Sequence, residues 1–554
     1  ALEIISHTDG RIDEKLLYDF LKSYQSKSQL VNAELWAVPV MLKVALIENL
    51  RHICGELLCS NNDRKKAEAL ADSILLGCGD PDKLLEDLKS QTAEMGTLSP
   101  AFAERLLMRI KRHGCDIGPI VHYIDEVLSF QGTSADEIIR LEHQQQAANQ
   151  VSIGNSITSM RLISGLDWHI MFENLSSVEQ TLRLDPAGVY KNMDFKSRDY
   201  YHHAVERMSK RFRISEAQVA KKAVECAQMP DESADIMLRH VGYYIVDNGR
   251  EKLELELGYR PGLFSSLSRS IKNHPSFVYL FPIIFFSCSL SAALGLYGVK
   301  SGGTTAAGIL LFILCLFPVS EIIIGIVNWI TTHVLSPAFL PKYEYINEIP
   351  EDCTTIVVIP ALISNKNRVS QLMDELEVYY LANSERNIYF ALLGDFADAK
   401  NKDMPGDEEV VKCGLECALK LNKKYSKGEN DLFYFFQRYR EYNPSQGVWM
   451  GWERKRGKLV EFNRLLRGSK DTAYYIQSGD ISKLPKVKYV ITLDADTVLP
   501  RETARMLIGA ISHPLNKAVV DMEKLQVVRG FGILQPRIGI DVVNAGKSLF
   551  SRIF

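Results

Sequence analysis

No two of the ten cysteines are spaced as CxxC. That excludes a zinc ribbon, and in a chain this long the scattered thiols do not form the disulfide framework of a small secreted domain. They read as reduced, mostly buried residues. Charge of one sign is lacking too. Lys and Arg number 65 against 68 Asp and Glu, a formal net charge of -3, which gives no electrostatic reason for a nucleic-acid partner. No initiating methionine and no secretory leader stand at Ala1, and no polar tail closes the chain at Phe554. The expectation is a fragment at both ends. Hydrophobic residues make up 46% and charged residues 24% of 554 positions. These proportions exclude wholesale disorder, collagen and coiled coil, and the length predicts about three or four structural units.

The mean hydropathy of -0.07 conceals one uneven region. Ser276 to Val299 carries no charge, and after a Lys300-Ser301-Gly302-Gly303 turn the run from Thr304 to Leu335 carries a single acid, Glu321. An apolar run of about 20 residues spans a bilayer as a helix, so residues 275–335 predict a transmembrane hairpin. Arg260, Arg269, Lys272 and His274 precede it and His333 and Lys342 follow, whereas the turn holds only Lys300. By the positive-inside rule both flanks are cytoplasmic, and the expected location is a plasma (inner) membrane crossed more than once. Glu321 is costly against lipid. It either faces other helices or marks where the second span becomes interfacial near Trp329 and His333.

Residues 1–265 predict an all-α cytoplasmic region with almost no strand alternation. Glu34 to Leu58 repeats apolar residues at three- and four-residue spacing, with Pro39 either kinking the helix or marking its start. Thr133-Ser134-Ala135-Asp136-Glu137 reads as a helix N-terminus. His202, His203 and His240 read as packing or surface residues. Ser177 to Arg198, with its Asp185-Pro186-Ala187-Gly188 turn, is either a structured loop or a docking element.

From residue 345 onwards the texture becomes α/β. Strands are expected at Thr354–Pro360, Asn387–Leu393 and Lys488–Leu493, with a helix at 367–382. Acids follow two of the strands: Gly394-Asp395-Phe396-Ala397-Asp398, and Asp494-Ala495-Asp496. In open α/β sheets ligands bind beyond the C-terminal strand ends. Two carboxylates at i and i+2 there can reach one hard divalent ion, Mg²⁺ or Mn²⁺, from the same side. Trp449 to Gly468 packs Arg454, Lys455, Arg456 and Lys458 around Gly457 before running into a helix, a pattern suited to pyrophosphate. Gln535-Pro536-Arg537 follows a further strand-like run, Gly530 to Leu534, in a position to meet an acceptor.

VVIPALI, ALLGDFADA, GWERKRGKLVEFNRLLRG, YVITLDADTVLP and GILQPRIGI occur in this order. Together they resemble the glycosyltransferase domain of cyclic β-1,2-glucan synthases, glycosyltransferase family 84 of the family-2-like superfamily. ELWAVPVMLKVALIENLR, SVEQTLRLDPAGVYKNMDFKSRDYY and HVGYYIVDNGR resemble the helical region of the same large synthases.

The resemblance implies a GT-A fold over 345–554, incomplete at its C-terminus. It also implies a membrane-bound inverting glucosyltransferase that uses UDP-glucose to elongate a β-1,2-glucan. Asp494 and Asp496 would hold the metal, with Asp494 also near the diphosphate. Pro360, Ala361, Asp395 and Asp398 would bind the uridine end, Lys458 the pyrophosphate, and Gln535 the acceptor glucan. The resemblance also implies further C-terminal domains as partners. The TED-like and Q-x-x-R-W-like motifs of related synthases do not occur before Phe554. The general base is therefore expected beyond it, and the fragment is expected to be inactive. A synthase of another β-glucan, or a non-catalytic membrane scaffold, are the competing readings.

Overall fold

The computed structural model describes residues 1–76, 85–86, 88–90, 98–111, 118–259, 274–335, 337–426, 431–478 and 486–539. Arg260, Arg269 and Lys272, used above to orient the hairpin, lie outside the described residues. The described chain is mostly helical with a small mixed sheet, and it divides into two compact units, Ala1–Gln180 and Thr181–Phe554.

The first unit is built on two long helices, Asn32–Leu76 and Ala135–Gly165. Leu35, Leu42, Ala45, Leu46 and Ile53 recur on one face of the first and are buried; helical spacing puts them there. The helix runs through Pro39, which therefore does not mark its start. The helix Pro100–Lys111 packs Phe102, Leu106 and Ile110 against Ala67, Leu70 and Ala71. Arg105–Glu68 and Arg109–Asp72 pairs run along the seam. Ser134 caps the second long helix by accepting from the Glu137 amide at 3.3 Å.

The second unit contains two long apolar helices, α1 (Pro275–Lys300) and α2 (Thr305–Val334), each long and apolar enough to cross a membrane. They pack against each other through small residues: a Cβ on Gly295 would lie 2.8 Å from the Gly308 carbonyl oxygen, and one on Gly308 would lie 2.3 Å from a Val299 methyl. Such close backbone approach is how helices associate where lipid removes the hydrophobic drive. Tyr279 donates to Asn328 Oδ1 at 2.8 Å across the pair.

The sheet of this unit has the order β6-β3-β2-β1-β7. Its strands are β1 (Thr355–Ile363), β2 (Ile388–Phe396), β3 (Phe433–Arg438), β6 (Tyr474–Gln477) and β7 (Tyr489–Thr492). β7, β1, β2 and β3 are parallel, and β6 closes the edge antiparallel. Two short hairpins stand apart, β4 (Glu441–Asn443) with β5 (Val448–Met450) and β8 (Val519–Asp521) with β9 (Gln526–Arg529).

Helices α3 (Lys366–Ala382) and α4 (Asp407–Tyr425) contribute to the cluster holding Val357, Ile359, Phe390 and Phe433. Phe462 of α5 (Arg454–Leu466) packs with Ile356, Val358, Tyr434 and Phe436 on the opposite face. Burial from both sides explains the continuous apolar strands. Pro360 sits in β1 although proline cannot donate to a ladder. β7 pairs with β1 only as far as Val358, so Pro360 lies past that last rung. The strand expected at Gly530–Leu534 is displaced: β9 ends at Arg529, and Gly530 turns the chain at φ +73.

The Asp185–Gly188 turn is closed by the Gly188 amide on the Asp185 carbonyl at 2.9 Å. Its carboxylate takes His240 Nδ1 at 2.8 Å and three backbone amides. The His240 imidazole then meets the Tyr201 hydroxyl at 3.1 Å. The following segment bonds the run leading into β1, with the Glu344 amide on the Asn192 carbonyl at 2.8 Å. The loop is a structured one, and its contacts with the run before β1 lie within the same compact unit.

Candidate active site

The C-terminal ends of β1, β2, β3 and β7 face the start of α5. Asp395 lies inside β2 rather than past its end, opposite Leu362 of β1, and is only 3% exposed. A bare carboxylate there would be costly. It is compensated by Arg438 from the end of β3, whose Nε and Nη2 reach the two Asp395 oxygens at 2.7 and 2.9 Å. That fork is the bidentate geometry guanidinium favours. Arg438 also donates to Glu461 at 2.6 Å and to the carbonyls of Trp452 and Arg454 at 3.2 and 3.1 Å. Burial disfavours the Arg438 charge, but Asp395 and Glu461 outweigh it and hold its pKa above the usual value.

Those two carbonyls belong to an unusual turn. Glu453 and Arg454 both adopt left-handed backbone, φ 44 and 48, which costs non-glycine residues free energy. Gly457 permits it, since a Cβ there would sit 2.1 Å from the Trp452 carbonyl oxygen. Gly457 therefore lies inside α5, and Glu453 is the residue at the helix cap.

The strained entry aims four cations. Arg454 pairs with Asp398 at 2.8 Å. Lys455 pairs with Asp494. Arg456 pairs with Glu453 at 3.2 Å. Lys458, one helical turn after Lys455, points inward, with its ammonium 2.6 Å from the Ala361 carbonyl oxygen and 3.1 Å from Asp395. Burial pulls the Lys458 pKa down to about 8 against the opposing pull of Asp395. One turn of α5 thus ties together Asp395, Asp398 and Asp494, acids that lie up to 99 positions apart in sequence.

Pro360 and Ala361 are buried in β1, and Ala361 joins the cluster through its backbone carbonyl. Asp494 and Asp496 are exposed just past β7, and Asp496 forms no ion pair among the described residues. No group of three or more His, Cys, Asp or Glu residues that could hold a metal occurs among the described residues. Carboxylate oxygens are the ligand type a hard divalent ion takes, and here Asp494 holds Lys455 instead. Gln535 lies in an exposed stretch after β9 and makes no side-chain hydrogen bond among the described residues; the structure does not bring it to this cluster.

Sequence reasoning missed Arg438 and Glu461, the centre of the network. The available signal was an arginine ending the apolar run FYFFQR, a charge in a place that burial forbids unless it is paired.

No family model matches the chain. A curated protein does: the cyclic beta-(1,2)-glucan synthase NdvB of Rhizobium meliloti (strain 1021) is 34% identical over 561 aligned residues, which take in 99% of this chain and 19% of that protein. The chain spans about a fifth of the length of the relative it matches. Over nearly all of its own length, the chain corresponds to one segment of a cyclic β-(1,2)-glucan synthase.

Proposed function

We propose that residues 345–554 form the donor-binding part of a GT-A-type glycosyltransferase that takes UDP-glucose and serves β-1,2-glucan elongation in a membrane-bound synthase. The observation carrying this reading is the gathering of Asp395, Asp398 and Asp494 by the first turns of α5. Cations at a helix N-terminus oppose the macrodipole. Placed beside exposed carboxylates at parallel strand ends, they form a site for an anion accompanied by a cation. A nucleoside diphosphate with its divalent ion is that pair, and the printed name of the relative supplies the glucan.

Asp494 and Asp496 are the proposed ligands of Mg²⁺ or Mn²⁺. When bound, the ion supplies positive charge against the departing diphosphate. The exposed Lys455 exchanges its Asp494 partner for a phosphate oxygen when donor arrives. Lys458 and Arg438 are interior cations that fix Asp395 and the turn, so that Lys455 and Arg454 are presented preorganised. The acceptor hydroxyl attacks the anomeric carbon opposite UDP, and an α-linked donor gives a β-linked product by inversion. A residue outside the described cluster takes the acceptor proton.

The test is incorporation of radiolabelled glucose from UDP-glucose by membranes carrying the full-length synthase. Asp494→Asn should lower incorporation by at least about 100-fold, the scale of losing a charge-stabilising group, without loss of the protein from the membrane. Unchanged incorporation would refute the assignment.

A further inference from the structure

We propose a second carbohydrate site at the opposite, N-terminal end of β1 and β7, taking a stretch of neutral β-glucan. It rests on the glucan reading above, but on different residues. A cavity of about 660 Å³ opens there, a volume within the range of small-molecule sites. Asp352 and Cys353, just before β1, and Lys488, just before β7, line it. The donor acids lie past the other end of β7. Six residue steps of extended chain separate Lys488 from Asp494, about 20 Å at roughly 3.3 Å each. The cavity is therefore separate from the donor cluster.

The lining chemistry selects the ligand class. Four carboxylates (Asp235, Glu344, Glu348, Asp352) meet three cations (Lys488, Lys517, Arg529). Several are already matched, with Asp235–Arg529 at 3.4 Å and Asp352–Lys488 at 3.7 Å. A surface so balanced offers nothing to a phosphate or a polyanion. It does offer unused donors and acceptors: the side chains of Glu344, Asn347 and Lys517 line the cavity and make no hydrogen bond or ion pair among the described residues. Sugar hydroxyls both donate and accept, and carboxylate, amide and ammonium serve them in both senses.

Two partly buried aromatic residues accompany these groups. The rings of Tyr343 and Tyr345 lie 5.8 Å apart in the lining. Tyr345 is fixed by a 2.8 Å hydrogen bond between its hydroxyl and Ser512, and Tyr343 by its ring contact with His513 and its amide on the Gly509 carbonyl at 3.0 Å. Aromatic faces suit the C–H face of a pyranose. Preorganised rings beside unspent polar groups make a site that takes a neutral polyhydroxylated chain.

The test is calorimetric titration of the detergent-solubilised 554-residue chain with a linear β-1,2-linked glucose oligosaccharide. Saturable binding in the millimolar range or tighter is expected. The triple variant Glu344→Ala, Asn347→Ala, Lys517→Ala should weaken it by at least about tenfold while its unfolding midpoint stays that of the parent. Asp494→Ala with Asp496→Ala should leave it unchanged. No saturable binding, binding that survives the triple variant, or displacement of the oligosaccharide by inorganic phosphate would overturn the proposal. Oligosaccharide binding by a chain that fails to bind UDP-glucose would refute the donor site and leave this one standing.

Discussion

Asp395 and Arg438 show what a buried charge demands of its neighbours. Asp395→Ala leaves Arg438 and Lys458 inside without their shared counter-charge, and breaking such a buried pair costs about 3–5 kcal/mol. Chemical denaturation of the solubilised chain should show the second unit destabilised by that order. Gly451→Ala should act through the same network, because its Cβ would fall 2.7 Å from the Asp395 carboxyl carbon and 2.9 Å from Arg438 Nη2; a lowered unfolding midpoint is expected.

Lys458 adds a pH dependence. Its folded pKa, about 8, lies below its unfolded value near 10.5. Between those values the unfolded chain binds more protons, so this group makes stability rise with pH across the window. The stability of the parent relative to Lys458→Met should therefore shift in the parent's favour from about pH 8 to pH 10, and a difference that stays flat would show that the ammonium is not desolvated. Individual acids were legible in the sequence because they follow apolar runs. The cations of α5 were legible as a basic run, but Arg438 was not, since it is joined to Asp395 by the pairing of β2 with β3 and not by spacing.

At the level of elements, the parallel strands were readable as unbroken β-branched and aromatic runs, and the boundaries of β1, β2 and β7 moved by only a few residues. Two features resisted. Gly457 looked like a helix opener, whereas the left-handed Glu453 and Arg454 open α5 and Gly457 makes room beneath them. The β9 boundary shifted because Gly530 turns where an apolar run continues. The hairpin α1–α2 was legible by length and hydropathy alone, but its packing face was not. That face is set by Gly295 and Gly308, and Gly308→Val should part the helices and lower the unfolding midpoint in detergent. Tyr279→Phe, which removes one interhelical hydrogen bond, should cost about 0.6 kcal/mol.

On the scale of the whole molecule, one cluster is assembled from distant stretches: β2 supplies Asp395, the turn beyond β7 supplies Asp494, and α5 joins the two through Lys458 and Lys455. Asp496, which forms no ion pair among the described residues, lies two positions beyond Asp494. The most direct test of that convergence is UDP-glucose binding to the solubilised 554-residue chain, measured by calorimetry with Mg²⁺, with chelator, and in Asp494→Ala plus Asp496→Ala. The proposed donor site predicts saturable binding that needs the metal and disappears in the double variant. Binding indifferent to both chelator and substitution, or no binding at all, would contradict it.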